Sequence, residues 1–225
     1  GISSFQSIFL VRAHSITTGE AAIWINTPVS LVAASGTFAT GWMATRLYKK
    51  YPGAIAWVPG IGLALSVPFY LYAFTTENLL YAGICLGIGG FVKYGYLAAQ
   101  YTIGQGVVTM RVRATATAVL LFVVNLIGYG FGPLFIGAIS DIFFVNGIVE
   151  LGVTTEELAR NQCHPRVIAQ LSEPLQNVCG AVYADSLRSA MLITASLYAA
   201  CAFFFLLTWR RLDKDMVDRN PARAT

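Results

Sequence analysis

Long uncharged apolar runs alternate with short polar clusters along almost the whole chain. Residues 22–45 carry no charge and are closed by Arg46, Lys49 and Lys50. Residues 54–74 form a second run, which holds Pro59 and Pro68. Each proline removes a backbone donor and is expected to kink the span. Residues 79–104 form a third run, rich in Gly and Tyr, residues 114–140 a fourth and residues 188–209 a fifth. A helix of roughly 20 apolar residues crosses a bilayer, so each run is long enough. Residues 1–11 are apolar but too short to span, and they end at Arg12. They read as the tail of a helix that starts before Gly1. The expected fold is all-α and polytopic, with five whole membrane helices and one partial one.

The expected layout is a partial helix over 1–11, four helices with short loops over 12–141, an outer loop over 142–187, a last span over 188–209 and a tail over 210–225. The long loop is polar and carries Glu150, Glu156, Glu157, Glu173 and Asp185. Thr154 to Glu157 fits a capping box, which predicts a short surface helix near 155–171.

Composition strengthens the membrane reading. Hydrophobic residues make up 56% of the chain and charged residues 12%, against about 25% charged in soluble domains. The mean hydropathy is +0.62. No charged stretch leads into a cleavage site, so no signal peptide is expected. The placement of charge sets an orientation. If residues 46–53 face the cytoplasm, alternation puts residues 105–113 and the tail there too. That side then holds Arg46, Lys49, Lys50, Arg111, Arg113, Arg210, Arg211, Lys214, Arg219 and Arg223, ten of the fifteen Lys and Arg residues. Arg12, Arg160, Arg166 and Arg188 fall on the other side, the positive-inside pattern of a multi-pass inner (plasma) membrane protein with a cytoplasmic C-terminus.

Lys93 is the sharpest candidate for function, because a charge near mid-span costs at least about 2.5–3.5 kcal/mol and should face the bundle or a watery cavity. On a continuous helix Tyr96 and Gln100 share its face, and such a group suits a carboxylate or phosphate head. Lys93 paired with an acid elsewhere, or snorkelling to an interface, would account for it equally. Asn125 and Tyr129 lie one turn apart, as do Asn26 and Ser30. Each pair lines a substrate cavity or makes interhelical hydrogen bonds. Gly128, Gly132 and Pro133 belong to a small-residue stripe that reads as packing, with a bend at Pro133 that also suits gating. Cys163 and Cys179, both in the outer loop, form a disulfide on an oxidising side or stand as two surface thiols. All eleven acids lie in loops, in the tail or at span ends, so a proton carrier is expected outside this chain. No G-x-S-x-G, H-E-x-x-H or P-loop motif is present. No catalytic residue, metal ligand, cofactor or nucleic-acid partner is expected.

Two segments carry a family resemblance. Gly41-Trp-Met-Ala-Thr-Arg46-Leu-Tyr-Lys49-Lys50 resembles the G-x-L-x-D-R-x-G-R-R loop of the major facilitator superfamily, with Thr45 in place of its Asp. There Gly41 would allow close helix approach, and Arg46 would anchor the cytoplasmic end. Arg111-Val-Arg113-Ala-Thr-Ala-Thr-Ala, followed by Asn125-Leu-Ile-Gly128-Tyr-Gly130-Phe-Gly132-Pro133 and Gly137-Ala-Ile-Ser140-Asp141, resembles helix eleven of the Spinster-like branch. The loop with Cys163 and Cys179 fits the same branch. The resemblance implies a C-terminal six-helix half, helices seven (partial) to twelve, packed against an N-terminal half and surrounded by membrane lipids. It implies alternating-access secondary transport of a small amphiphilic or anionic substrate, such as a lysolipid or sphingosine phosphate. A permease for a sugar acid or other organic anion, and a non-transporting receptor or scaffold, are the alternatives.

Overall fold

The computed structural model describes residues 2–14, 16–51, 53–150 and 173–216. Among the described residues every regular element is helical. Helix α1 spans Ile2–His14, α2 Thr18–Tyr48, α3 Ala54–Thr75, α4 Leu79–Lys93, α5 Tyr96–Gly106, α6 Arg113–Asn125, α7 Gly132–Glu150 and α8 Glu173–Asp215. Five stretches are long and apolar enough to cross a membrane: Thr18–Tyr48, Ala54–Thr75, Leu79–Gly106, Met110–Val149 and Val178–Leu212. Each runs through one of the five segments read as whole spans, with bounds wider by more than one residue in four of the five.

The centre of the bundle is α3, which packs against α8, α4, α2 and α5. It runs unbroken through Pro59 and Pro68. A buried cluster joins Phe9 and Leu10 of α1, Tyr70 and Phe74 of α3, Leu86 of α4, Ile136 of α7 and Met191 of α8. The Phe9 and Phe74 rings meet edge to face with centroids 5.2 Å apart, a favoured aromatic geometry. The Met110–Val149 stretch packs differently. It is the least buried of the five, with only Ile136, Ser140, Phe144, Val145 and Ile148 buried, although its mean hydropathy matches that of Val178–Leu212. A helix of that composition needs a further apolar surface, supplied by lipid or by another part of the protein.

Three boundaries differ from those read in the sequence. The run over 79–104 is not one uniform helix, because Tyr94 and Gly95 form a turn between α4 and α5. The 142–187 segment is not a loop throughout. Helix α7 continues to Glu150, and α8 already begins at Glu173. The tail is helical as far as Asp215. At about 1.5 Å per residue, the 43 residues of α8 reach roughly 65 Å, twice the hydrocarbon thickness. Its ends are polar in sequence, so hydropathy marks only the middle. The predicted surface helix near 155–171 and Cys163 lie outside the described residues. Cys179 is disulfide-bonded, while Cys85 and Cys201 are free thiols.

Two π-turns interrupt the spans, Ala21–Asn26 within α2 and Leu126–Phe131 between α6 and α7. Both end two residues before a proline, Pro28 and Pro133. A proline has no N–H to offer the carbonyl four residues back, here Trp24 and Tyr129. The wider turn re-routes the backbone bonds at that point, and such turns gather at functional sites.

Candidate functional site

The first π-turn builds a polar cleft between α1 and α2. Gln6 Nε2 donates to Asn26 Oδ1 at 2.9 Å, and Asn26 Nδ2 donates to Ser7 Oγ at 2.7 Å. The Thr27 hydroxyl donates to the Ala22 carbonyl at 2.9 Å, five residues back, as the wide turn allows. Ser7, Ala22, Asn26, Thr27, Ser30 and Leu31 line a cavity of about 460 Å³. Asn26 and Ser30 therefore fall together as expected from their spacing, and α1 adds Gln6 and Ser7 to them. On the other side of α2 lies an apolar groove of about 670 Å³, reaching α4, lined among others by Trp24, Ile25, Val29, Leu80, Ile84 and Ile88.

The second π-turn carries Tyr129, whose side chain is 74% exposed. Asn125 stands just before it and donates to its own helix, from Nδ2 to the Leu121 carbonyl at 2.7 Å. That bond ties Asn125 down locally instead of bridging two helices. Neighbouring Phe122 is 65% exposed, so this surface is aromatic and open.

Lys93 is 5% exposed and points into the bundle. Its Nζ donates to the Tyr198 hydroxyl at 3.3 Å. Three ring centroids surround the ammonium: Tyr94 at 4.5 Å, Tyr70 at 4.9 Å and Tyr198 at 5.0 Å. A cation over a ring face gains about 0.5–2 kcal/mol. Three rings thus reach the range of about 2.5–3.5 kcal/mol that a lysine costs at mid-membrane. Lys93 makes no ion pair among the described residues, and the cage explains how it stays there. Because Lys93 closes α4 and Tyr96 opens α5, the expected single face of Lys93, Tyr96 and Gln100 is interrupted by the Tyr94–Gly95 turn. Tyr96 stacks on Tyr94, centroids 6.5 Å apart at 28°, and Gln100 is half-buried further along α5. Tyr96 also comes within electrostatic reach of Tyr129. The sequence reading missed Tyr70 and Tyr198. Their only signal was a tyrosine hydroxyl inside each span, with nothing to say which cation it met.

Glycines hold this turn in place. A Cβ at Gly36 would strike the Phe91 carbonyl oxygen, one at Gly62 the Val92 carbonyl oxygen, and one at Gly95 the Thr40 side chain. Helix α4 is therefore wedged between α2 and α3 at backbone contact. At Gly41, a Cβ would lie 3.3 Å from the Ala98 Cβ, so α2 and α5 are also close there. Arg46 sits one turn on, with its guanidinium 5.1 Å from the Trp42 ring centroid. By contrast, a side chain at Gly128 or Gly137 would meet open space. The predicted stripe including Gly128, Gly132 and Pro133 thus presents its accessible glycines outward rather than into this bundle.

No family model matches the chain. It is 26% identical over 140 residues to an MFS-type efflux pump of Mycolicibacterium smegmatis, 62% of this chain and 32% of that protein. The fold defined above is that of one half of a major facilitator transporter. The solved structures that it matches are of a bacterial homologue of the human lysosomal transporter Spinster. The inward-facing, occupied form superposes with a TM-score of 0.83 at 37% identity, covering 96% of this chain and 46% of that one. The inward-facing, unoccupied form gives 0.81 at 37%, covering 95% and 44%. The chain thus spans less than half the length of the structures it matches.

Proposed function

We propose that this chain is the C-terminal half of a Spinster-like secondary transporter that carries an amphiphilic small molecule by alternating access. The observation that carries the reading is the polar cleft at a π-turn, set in a helical half whose 37% identical relative was solved inward-facing and occupied. Asn26, Ser30, Gln6 and Ser7 form the polar wall, and Tyr96 and Tyr129 extend it across α5 and the second π-turn. The apolar groove on the far side of α2 suits a hydrocarbon tail. An N-terminal half packs against the exposed face of the Met110–Val149 stretch and completes the cavity. Outward glycines at 128 and 137 allow that close approach.

The polar wall is neutral, since Lys93 is occupied by its tyrosines. Beside the apolar groove, a neutral wall favours an amphiphile whose head carries no net charge, such as a zwitterionic lysolipid, over a small sugar acid that needs a cation and would leave the groove empty. The basic ends of the spans support a cytoplasmic C-terminus in a plasma (inner) membrane. Uptake into proteoliposomes by the full-length protein tests the cargo. A fluorescent lysophospholipid should be carried and glucuronate should not compete. Transport of glucuronate without any lysophospholipid uptake would overturn the choice of cargo.

A further inference from the structure

We propose that the basic end of this bundle is a docking surface for an anionic phospholipid, whose phosphate sits between the α2–α3 turn and the Arg210–Arg211 segment of α8. The surface is remote from the transport cleft. Arg46 stands twenty residues along α2 from Asn26, about 30 Å at about 1.5 Å per residue. The proposal therefore stands whether or not the chain carries a lysolipid.

Charge is sorted between the two ends of the bundle. The acids whose side chains are described are Glu20, Glu77, Asp141 and Asp185. They gather at the end where α1 closes, where His14 bonds the Glu77 carbonyl and Arg12 lies over Tyr183, itself within reach of Asp141. Arg188 at that end is paired with Asp185 at 3.1 Å. The opposite end, where α2 closes and α3 opens, carries Arg46, Lys49 and Lys50. Helix α8 brings Arg210 and Arg211 to the same place. Its Trp209 packs so closely on Gly53 that a Cβ there would collide with the indole. Leu212 and Met216 are buried with Ile55 and Ala56 of α3 and Ala99 of α5. That contact fixes this stretch of α8 and leaves Arg210 and Arg211 exposed.

None of these five cations makes an ion pair with a described side chain. The Arg46 guanidinium lies 5.1 Å from the Trp42 ring centroid, and the Lys50 ammonium 5.4 Å from that of Tyr51. A ring steadies a cation without neutralising it, so both charges stay available. Residues 46–53 and 209–216 together hold six Lys and Arg against Asp213 and Asp215, a surplus of four positive charges.

The aromatic neighbours set the depth of this surplus. Trp42 is 57% exposed, Trp209 50% and Tyr51 49%. Exposed Trp and Tyr at the end of a span mark the level where hydrocarbon meets head groups. The cations beside them therefore stand at the level of lipid phosphates, which selects a phospholipid over a soluble anion. Guanidinium forks match phosphate oxygens, and basic clusters at the end of a span favour anionic lipids. A zwitterionic lipid brings its own cation to the patch and gains less.

The test titrates the full-length protein in detergent with phosphatidylglycerol and with phosphatidylcholine, and counts bound lipid by native mass spectrometry. Phosphatidylglycerol should bind more tightly by at least about fivefold, the effect of a single cation at a membrane surface. Lys49→Gln with Lys50→Gln, and separately Arg210→Gln with Arg211→Gln, should each remove most of that preference. Lys49→Arg with Lys50→Arg should keep it. Equal binding of the two lipids by wild type, or a preference that survives both glutamine pairs, would overturn the proposal. Arg12→Gln, at the other end, should leave the preference unchanged. A loss there as large as in the glutamine pairs would make it an effect of overall charge and contradict a docking surface. Displacement of phosphatidylglycerol by an equal concentration of glycerol 3-phosphate would assign the site to a soluble anion and overturn the lipid reading.

Discussion

Replacing Gly36 by alanine should be among the most damaging single-methyl changes in this half. An added Cβ there would collide with the Phe91 carbonyl oxygen, at well under the roughly 3.2–3.4 Å that a carbon and an oxygen tolerate. Helix α4 would have to move by about an ångström away from α2. It cannot move freely, because on its other side the Val92 carbonyl already lies against Gly62 of α3. Overpacking a tight contact costs about 1–3 kcal/mol. The gain of about 0.5–1 kcal/mol from Gly to Ala in a helix offsets part of it. The net expectation is a loss of about 0.5–2 kcal/mol for Gly36→Ala and the same for Gly62→Ala. The double variant should exceed the sum, since each single change relaxes toward the other's contact. Gly87→Ala, on the same α4 helix but with nothing within 4 Å, is the control and should be neutral or slightly stabilising. Equilibrium unfolding in mixed detergent micelles measures all four. If Gly36→Ala proves as stable as Gly87→Ala, the wedged packing of α4 is wrong.

Other outcomes follow from the same contacts. Asn26→Leu breaks both bonds of the Gln6–Asn26–Ser7 chain. At about 0.6 kcal/mol each, and at most about 1.7, it should lower stability by about 1–3 kcal/mol in the same unfolding assay, while Asn125→Leu, which loses a bond within its own helix, should cost less. His14, at the C-terminal end of α1 beyond the apolar run, donates from Nδ1 to the Glu77 carbonyl at 3.2 Å. Burial first, and the Arg188 guanidinium as well, hold its imidazole below the ordinary 6.5 despite that bond. The neutral form is thus favoured in the folded state. Its contribution is complete above pH 6.5 and is lost as pH falls from there through the lowered folded value. A plot of unfolding midpoint against pH should therefore drop below pH 6.5 in wild type, and His14→Gln should flatten that drop.

Much of this architecture could be read before any coordinates. Uncharged runs of over twenty residues admit few folds, and five apolar helices do run through those segments. The one-turn spacing of Asn26 and Ser30 likewise puts both on one cavity. What escaped has a common cause. Position along a helix says which residues share a face only if the helix is uniform. The Tyr94–Gly95 turn and the two π-turns each shift that face. Their traces in the sequence are small: Pro28, Pro133 and a Gly beside a β-branched Thr40 on another helix. The partners of Lys93 were out of reach for a second reason. Tyr70 and Tyr198 lie 23 and 105 residues away in sequence, and a tyrosine in a span signals interface, cavity or cage alike. The ends of α7 and α8 were missed because hydropathy reports what lipid covers and is silent about helix in water.

The central claim is that the cleft at Ser7, Asn26 and Ser30 opens to each side of the membrane in turn. The most direct measurement is labelling of Ser30→Cys in the full-length protein, with Cys85 and Cys201 replaced by Ser, using an impermeant thiol reagent applied from one side or the other of oriented vesicles. Labelling from both sides, slowed from each by a lysophospholipid, is the predicted result. Labelling from one side alone, unaffected by the lysophospholipid, would contradict it.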